Sequence, residues 1–451
     1  MDLATAIIVV SAGLTQSQSM AAPMLAEEVA GRTGVHWQVS DHWPEGTRSV
    51  VWLGLEEDLA NLPPDLFAPD ERPAGSGQSE GFQVVTVSRP DLSALFVIGH
   101  DVRGILYGVG HVLRKARLSS GAIVMPDDIA IITAPRFALR GHQLGYRDGA
   151  NSYDAWDLEQ WERYYRDLII FGANAVELIP SLPEATPSSH FPQPPRETEV
   201  GMSELAEKYG IDLWLWYPAI AGDYADPAVA NAHLEFAEGL FRDLPGIDGV
   251  FVPGGDPGHT DPDVLLPFLE KKTALLHRFH PEAQMWVSPQ GFGPQCLNKF
   301  YKALESPDMD WLAGVVYGPG IRVSLAEFRA RIPARYPIRS YPDITHTLGP
   351  LLGSRLSIRL PAREIRRLIS KKLLSGLTPR ASGHGRSDPL LARNLPGNQT
   401  RALAPLPQAR MALSRWALPK RRRHAGWSVK QVISGRTLKR TRSRWPRPRL
   451  M

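Results

Sequence analysis

Residues 251–262 read FVPGGDPGHTDP. Phe251 and Val252 close an apolar run, which Pro253 and two glycines bring to an end. A carboxylate, Asp256, then stands among turn-formers, with His259 three residues on and Asp261 just beyond. Such a stretch reads as a buried strand that delivers polar side chains at its C-terminal end. Proline makes the backbone there stiff, and glycine lets another chain segment come close. What those side chains do depends on the sheet the strand belongs to.

The same rhythm extends on both sides. LRGHQLGY (139–146) precedes the helical stretch DLEQWERYYRDLIIFG, and NAVELIP follows. After a proline-rich loop, SLPEATPSSHFPQPP, come MSELAEKYG and DLWLWYPA, then NAHLEFAEGLFRDL and GVFVPGG. LLPFLEKKTALLHRF leads to AQMWVSP, LNKFYKALES to AGVVYGP, and SLAEFRARI to YPIRSYPD. Seven strand-like segments alternate with helical ones between residues 136 and 350. Repeated βα units at this spacing predict a parallel sheet, and so many units favour a (β/α)₈ barrel over an open sheet. The eighth unit is missing, so the barrel is expected to be incomplete.

Residues 1–135 have a different texture. IIVVSA, VVWLGL, FQVVTVS and ALFVIG predict strands; MAAPMLAEEVAG and GILYGVGHVLRKAR predict helices. This is a small α/β layer domain, with the polar, glycine-rich PAGSGQSEG as a surface loop.

Charge divides the chain again near residue 350. The whole carries a bland +4, with 43% hydrophobic and 22% charged residues. Residues 1–350, however, balance at −19, whereas residues 351–451 balance at +23 and hold only Glu364 and Asp388 as acids. The tail is expected to be largely disordered and is read as out of frame, because GC-rich codons shifted by a nucleotide yield Arg, Pro, Ala, Gly and Ser. The alternative is a native basic arm that binds nucleic acid through its phosphates.

The single cysteine, Cys296, excludes an internal disulfide framework. The apolar start lacks a basic flank and leads into a helical pattern, so a cytoplasmic protein is expected unless an upstream leader is missing. No apolar run approaches the roughly 20 residues of a membrane span, and no membrane partner is expected.

In such a barrel the chemistry sits at the C-terminal ends of the strands. There the sequence places His142, Tyr146 and Arg147 after the first strand and Glu177 on the second. Trp216 and Tyr217 close the third; Asp256, His259 and Asp261 follow the fourth. Gln290 follows the fifth, Tyr317 ends the sixth, and Asp343 and His346 follow the seventh. Aromatic faces suit the C–H surface of a sugar ring, and carboxylates and amides take its hydroxyls. Glycoside hydrolysis needs an acid for the leaving oxygen and a second group opposite it. Asp256 has the place of that acid, and Asp343 is the natural second carboxylate. Apart from Asp261, the other ten (His142, Tyr146, Arg147, Glu177, Trp216, Tyr217, His259, Gln290, Tyr317 and His346) are the candidate substrate-binding set.

Some positions stay open. Trp214 and Trp286 face either the interior or the helices, since strand residues alternate. Glu177 either meets substrate or pairs with Arg140 or Arg147. His111 is expected on a helix surface. Asp256, His259, Asp261 and His346 are metal-ligand types, but no HExxH or paired-cysteine motif accompanies them, and no phosphate loop is present. No metal and no cofactor are expected.

Two motifs carry a resemblance. GHDVRGILYGVGHVLRK, followed by PRFALRGHQLGY and IIFGANAVELIP, resembles the opening of family 20 β-N-acetylhexosaminidases and family 67 α-glucuronidases. In those families an α/β domain with a D-x-R-G helix start precedes a catalytic barrel. The resemblance spans about residues 1–348 and implies a glycosidase acting on a hexosamine- or uronic-acid-containing carbohydrate. Asp101, Arg103 and Gly104 match the first-domain motif and are assigned to the domain junction. Where family 20 enzymes carry an Asp-Glu pair after the fourth strand, this chain has Gly255-Asp256, so one carboxylate matches by place. The competing readings are an inactive carbohydrate-binding protein, its pocket opened by the absent unit, and nucleic-acid binding through the tail.

Overall fold

A computed structural model describes residues 1–16, 19–46, 49–63, 66–67, 72–143, 156–183, 192–255, 257–318 and 320–341. The chain divides into two compact units, Met1–Pro379 and Arg380–Met451, and all described residues belong to the first. The expected disorder and frame of the basic tail therefore lie outside the described residues.

The first layer runs β1 (Ile7–Val10), α1 (Ala12–Gln16), α2 (Ala21–Thr33), β2 (Gln38–Ser40), β3 (Ser49–Leu55), β4 (Phe82–Arg89), β5 (Leu92–Gly99) and α3 (Val102–Lys115). The hairpin β6 (Arg117–Ser119) and β7 (Ala122–Val124) and the strand β8 (Ala130–Thr133) complete it. Six strands form one sheet in the order β2-β1-β3-β5-β4-β8. β2, β1, β3 and β5 run parallel, and β4 is antiparallel to both neighbours. Ile8, Val51, Leu53, Leu95 and Val97 face the helices, while Val9, Val50, Trp52, Phe96 and Ile98 form a second core on the other face. Strands this apolar on successive residues are buried on both sides, which is why they lack polar alternation. Residues 73–81 form the expected loop.

From Gly141 the chain alternates strictly. Its elements are β9 (Gly141–Gln143), α4 (Leu158–Ile170), β10 (Ala175–Leu178), α5 (Pro195–Tyr209), β11 (Asp212–Trp216), α6 (Pro227–Asp243) and β12 (Gly249–Pro253). They continue as α7 (Pro262–Phe279), β13 (Gln284–Ser288), α8 (Pro294–Leu304), β14 (Leu312–Tyr317), α9 (Leu325–Arg331) and β15 (Ile338–Ser340). Among the described residues seven strands form the sheet β15-β14-β13-β12-β11-β10-β9, each pair parallel. The helices start where chemistry dictates. Asp157, Asp226, Asp261 and Ser324 each accept a first-turn backbone N–H, and α5, α6, α7 and α8 carry proline in their first turn.

This sheet is curled into a half-barrel. Val176, Leu213, Leu215, Val250, Val252, Met285 and Val287 point outward to the helices. Ala175, Trp214, Phe251, Trp286 and Val316 form a separate inner cluster. Trp214 and Trp286 therefore face the interior, 5.8 Å apart between ring centres. Gly249 and Gly314 lie beside them in the register, and a Cβ at either would collide with an indole. The curl brings opposite ends of the sheet together. Tyr341, just past β15, donates its hydroxyl to Gln143 Oε1 on β9, and Arg339 on β15 reaches Glu177 on β10.

The D-x-R-G motif joins the two sheets. Asp101 caps α3 through Gly104 N and also accepts Glu80 N at 2.7 Å. Arg103 then extends to Gly210 O (2.6 Å), Asp212 and Glu80. Glu80 also pairs with Arg140 (2.7 Å) and accepts from Asn174, which is itself buried. A Cβ at residue 104 would collide with Gly81 O, so the helix start must be glycine to lie this close. This ties α3 to the N-terminal ends of β10 and β11, the face opposite the candidate site. His111, one turn from the end of α3, is partly buried against Phe82, with Nε2 shut off from solvent, and burial lowers its pKa. That differs from the expected surface position: α3 is packed on two sides, and its polar residues have little open face.

Candidate active site

The C-terminal ends of the seven strands form one rim, and the residues on either side of position 256 are built into it. Gly254 N donates to Ser288 O (2.7 Å) and Gly255 N to Gln290 O (2.8 Å), so the loop after β12 is stitched to the loop after β13. Downstream, His259 N returns to Gly255 O at 3.2 Å. A Cβ on Gly254 or Gly255 would press into the β13 loop backbone and the Phe292 ring. Gly258 has φ +109° and lies against Ala219 O in the loop after β11. The glycines thus permit three neighbouring loops to touch. Asp256 itself lies outside the described residues, as do Tyr146, Arg147, Asp343 and His346.

Beneath the rim lies a polar cluster among aromatic rings. Glu177 is 2% exposed. Its Oε1 accepts Gln143 Nε2 at 2.7 Å and its Oε2 accepts Arg339 Nη2 at 2.6 Å. Burial pushes the Glu177 carboxyl above its ordinary range, against the opposing pull of Arg339 and Gln143. The Arg339 guanidinium lies 4.7 Å from the Trp214 ring centre and 5.5 Å from that of Phe251. Tyr341 stacks at a tilt on Phe251, 5.6 Å between centres. Glu177 thus pairs with Arg339, and Arg140 is taken by Glu80; a pairing with Arg147 lies outside the described residues.

The other candidates divide by face. Gln143 takes the inward position of β9, so His142 turns to the helix side, where its ring bonds Tyr164 of α4. Tyr217 is buried against Phe241 of α6 and Lys272 of α7. Tyr317 bonds Val323 O at 3.0 Å and packs on Phe328 of α9. Trp216 packs at the margin of the inner cluster. Gln290 holds the β12 loop through its backbone. His259 is exposed, with φ +53°. Asp261 caps α7 and pairs with Lys299 at 2.8 Å, which holds its carboxyl below the usual range. Its charge is spent on the helix. Among the described residues no group of three or more His, Cys, Asp or Glu side chains is placed to hold a metal ion.

The sequence left Trp214 and Trp286 open between the interior and the helices, where the structure turns both inward, and did not single out Arg339. Gly249 and Gly314 were the available signal for the indoles, since each leaves space opposite an inward position. Arg339 offers no such signal in a three-residue strand.

No family model and no curated protein matches the chain. Solved structures similar in fold include CpGH84B, at 13% identity and TM-score 0.46, over 70% of this chain and 53% of that one. A glycoside hydrolase family 20 beta-N-acetylglucosaminidase shares 17% identity at TM-score 0.45, over 74% of this chain and 70% of that one. The beta-N-acetylhexosaminidase from Bacteroides fragilis NCTC 9343 shares 12% at TM-score 0.48, over the same two fractions. The chain spans about half the length of the first. The likeness concerns the fold. No helix of the described residues is long and apolar enough to cross a membrane.

Proposed function

We propose that the chain is an exo-acting glycoside hydrolase that cleaves an O-glycosidic bond of a hexosamine- or uronic-acid-containing carbohydrate. The observation that carries this reading is the hydrogen bonding of Gly254 and Gly255 to Ser288 and Gln290, with Gly258 lying close against Ala219. A catalytic carboxyl must be held to within a fraction of an ångström, and a loop tied to both neighbouring strands provides that. In this reading Asp256 protonates the leaving oxygen, and Asp343, two residues beyond Tyr341, acts as the second carboxylate. Gln143, Glu177, Trp216 and Tyr341 shape the sugar hollow. Residues 136–350 are the catalytic part and residues 1–135 a supporting layer.

The test is a panel of 4-nitrophenyl glycosides, including β-N-acetylglucosaminide and α-glucuronide, with colour release as the readout. Hydrolysis of at least one is expected, with Asp343→Asn lowering kcat by about 10²-fold or more at an unchanged melting temperature. An enzyme whose rate ignores Asp343→Asn has its second group elsewhere.

A further inference from the structure

The hydrolase reading leaves two sugar classes open, and the polar cluster under the rim separates them. Arg339 uses Nη2 on Glu177, but its Nη1 is buried with no hydrogen-bond partner among the described residues. Trp214 Nε1, on the ring beneath the guanidinium, is likewise buried with no such partner. The cluster therefore holds two spare donors, and an oxygen acceptor is what would satisfy both. Its charge is already balanced: one guanidinium faces one carboxylate at 2.6 Å, walled by Trp214 and Phe251. Glu177, Gln143 and Arg339 lie at or near the C-terminal ends of β10, β9 and β15, the end from which a ligand enters such a sheet.

We propose that Glu177 and Arg339 form the floor of the sugar subsite and select a neutral, hydroxyl-rich ring over a uronate. This rests on the hydrolase reading for its location. A hydroxyl or amide oxygen supplies the missing acceptor without adding charge. A uronate would bring a second carboxylate to a guanidinium already shared with Glu177, leaving a net negative charge among aromatic rings. Arg339 is here a specificity-determining residue, through the planar second donor that lysine lacks.

The test is ligand-observed NMR titration of the full chain with the methyl β-glycosides of glucose, N-acetylglucosamine and glucuronate. At least one neutral glycoside is expected to bind about tenfold or more tightly than the glucuronide. Arg339→Lys keeps a cation opposite Glu177 and should weaken that binding about tenfold. Should that variant not fold, Glu177→Leu combined with Arg339→Met removes both charges together and should show the same loss. Glucuronide binding as tight as the neutral sugars, no binding of either neutral sugar, or unchanged affinity in the folded variant overturns the proposal. Binding is read without turnover, so the two readings fail separately. A protein that binds neutral sugar but hydrolyses nothing refutes the hydrolase and keeps this floor. One that turns over glucuronides best does the reverse.

Discussion

Glu177 and Arg339 lie 162 positions apart in sequence, and their pairing depends on the curl of the sheet. Breaking a buried pair strands the remaining charge, so Arg339→Ala should cost about 3–5 kcal/mol in urea unfolding. Replacing both with Leu and Met should cost far less, since apolar side chains of similar volume fill the same space. A loss in the double variant equal to the sum of the two single losses would mean the pair is not coupled. Lys272 on α7 makes the opposite case. It is 3% exposed, with Nζ 2.9 Å from the Tyr217 ring centre and no carboxylate within ion-pair distance among the described residues. Burial holds its pKa well below the ordinary lysine value. As pH falls below about 10.4 the unfolded chain takes up a proton that the folded chain refuses, so stability falls with it. Lys272→Met should therefore stabilise the protein by about 1–3 kcal/mol at pH 7, with the gain shrinking as pH rises past 10. A gain independent of pH would place its cause in packing instead. Neither residue announced itself in the sequence. Arg339 sits in PIRSY, read as a strand, and Lys272 in LEKKTALL, read as a helix; neither local pattern marks its charged residue as buried, because that burial follows from tertiary packing.

At the scale of elements the sequence was far more legible. Strands such as VFVP are continuous apolar runs, AVEL is one broken only by Glu177, and the helices between them begin at Asp, Ser or Pro and carry one apolar face, so periodicity alone separates them. The shortest strands, β9 and β15, have three residues each and were located only by the rhythm of the longer ones. Which way a strand's residues face was harder, because a strand buried on both sides shows no alternation. Hence His142, Tyr217 and Tyr317 stood among substrate candidates, although each side chain packs toward a helix. The loops give the sharpest prediction at this scale. Gly258→Ala places a Cβ at φ +109° against Ala219 O, so it should lower stability by about 1–3 kcal/mol and reduce turnover more than substrate affinity. An alanine variant with native stability and rate would show that the β11 and β12 loops do not support each other.

For the whole molecule, the D-x-R-G motif explains why a layer domain precedes the curled sheet. Arg103 and Glu80 tie α3 to Gly210, Asp212, Arg140 and Asn174 on the face opposite the rim. Arg103→Ala should cost about 1–3 kcal/mol through the buried partners it abandons, and it should leave sugar specificity untouched. A changed specificity would assign the motif to the site instead of the junction. If Asp256 donates the proton to a leaving sugar oxygen, its loss must hurt most where the leaving group needs that proton. In Asp256→Asn, kcat/KM for a 2,4-dinitrophenyl glycoside, whose leaving group needs no proton, should stay within about tenfold of the parent. For the matching methylumbelliferyl glycoside it should fall by about 10²–10⁴-fold. Equal rates for parent and variant across both leaving groups would exclude Asp256 as the proton donor.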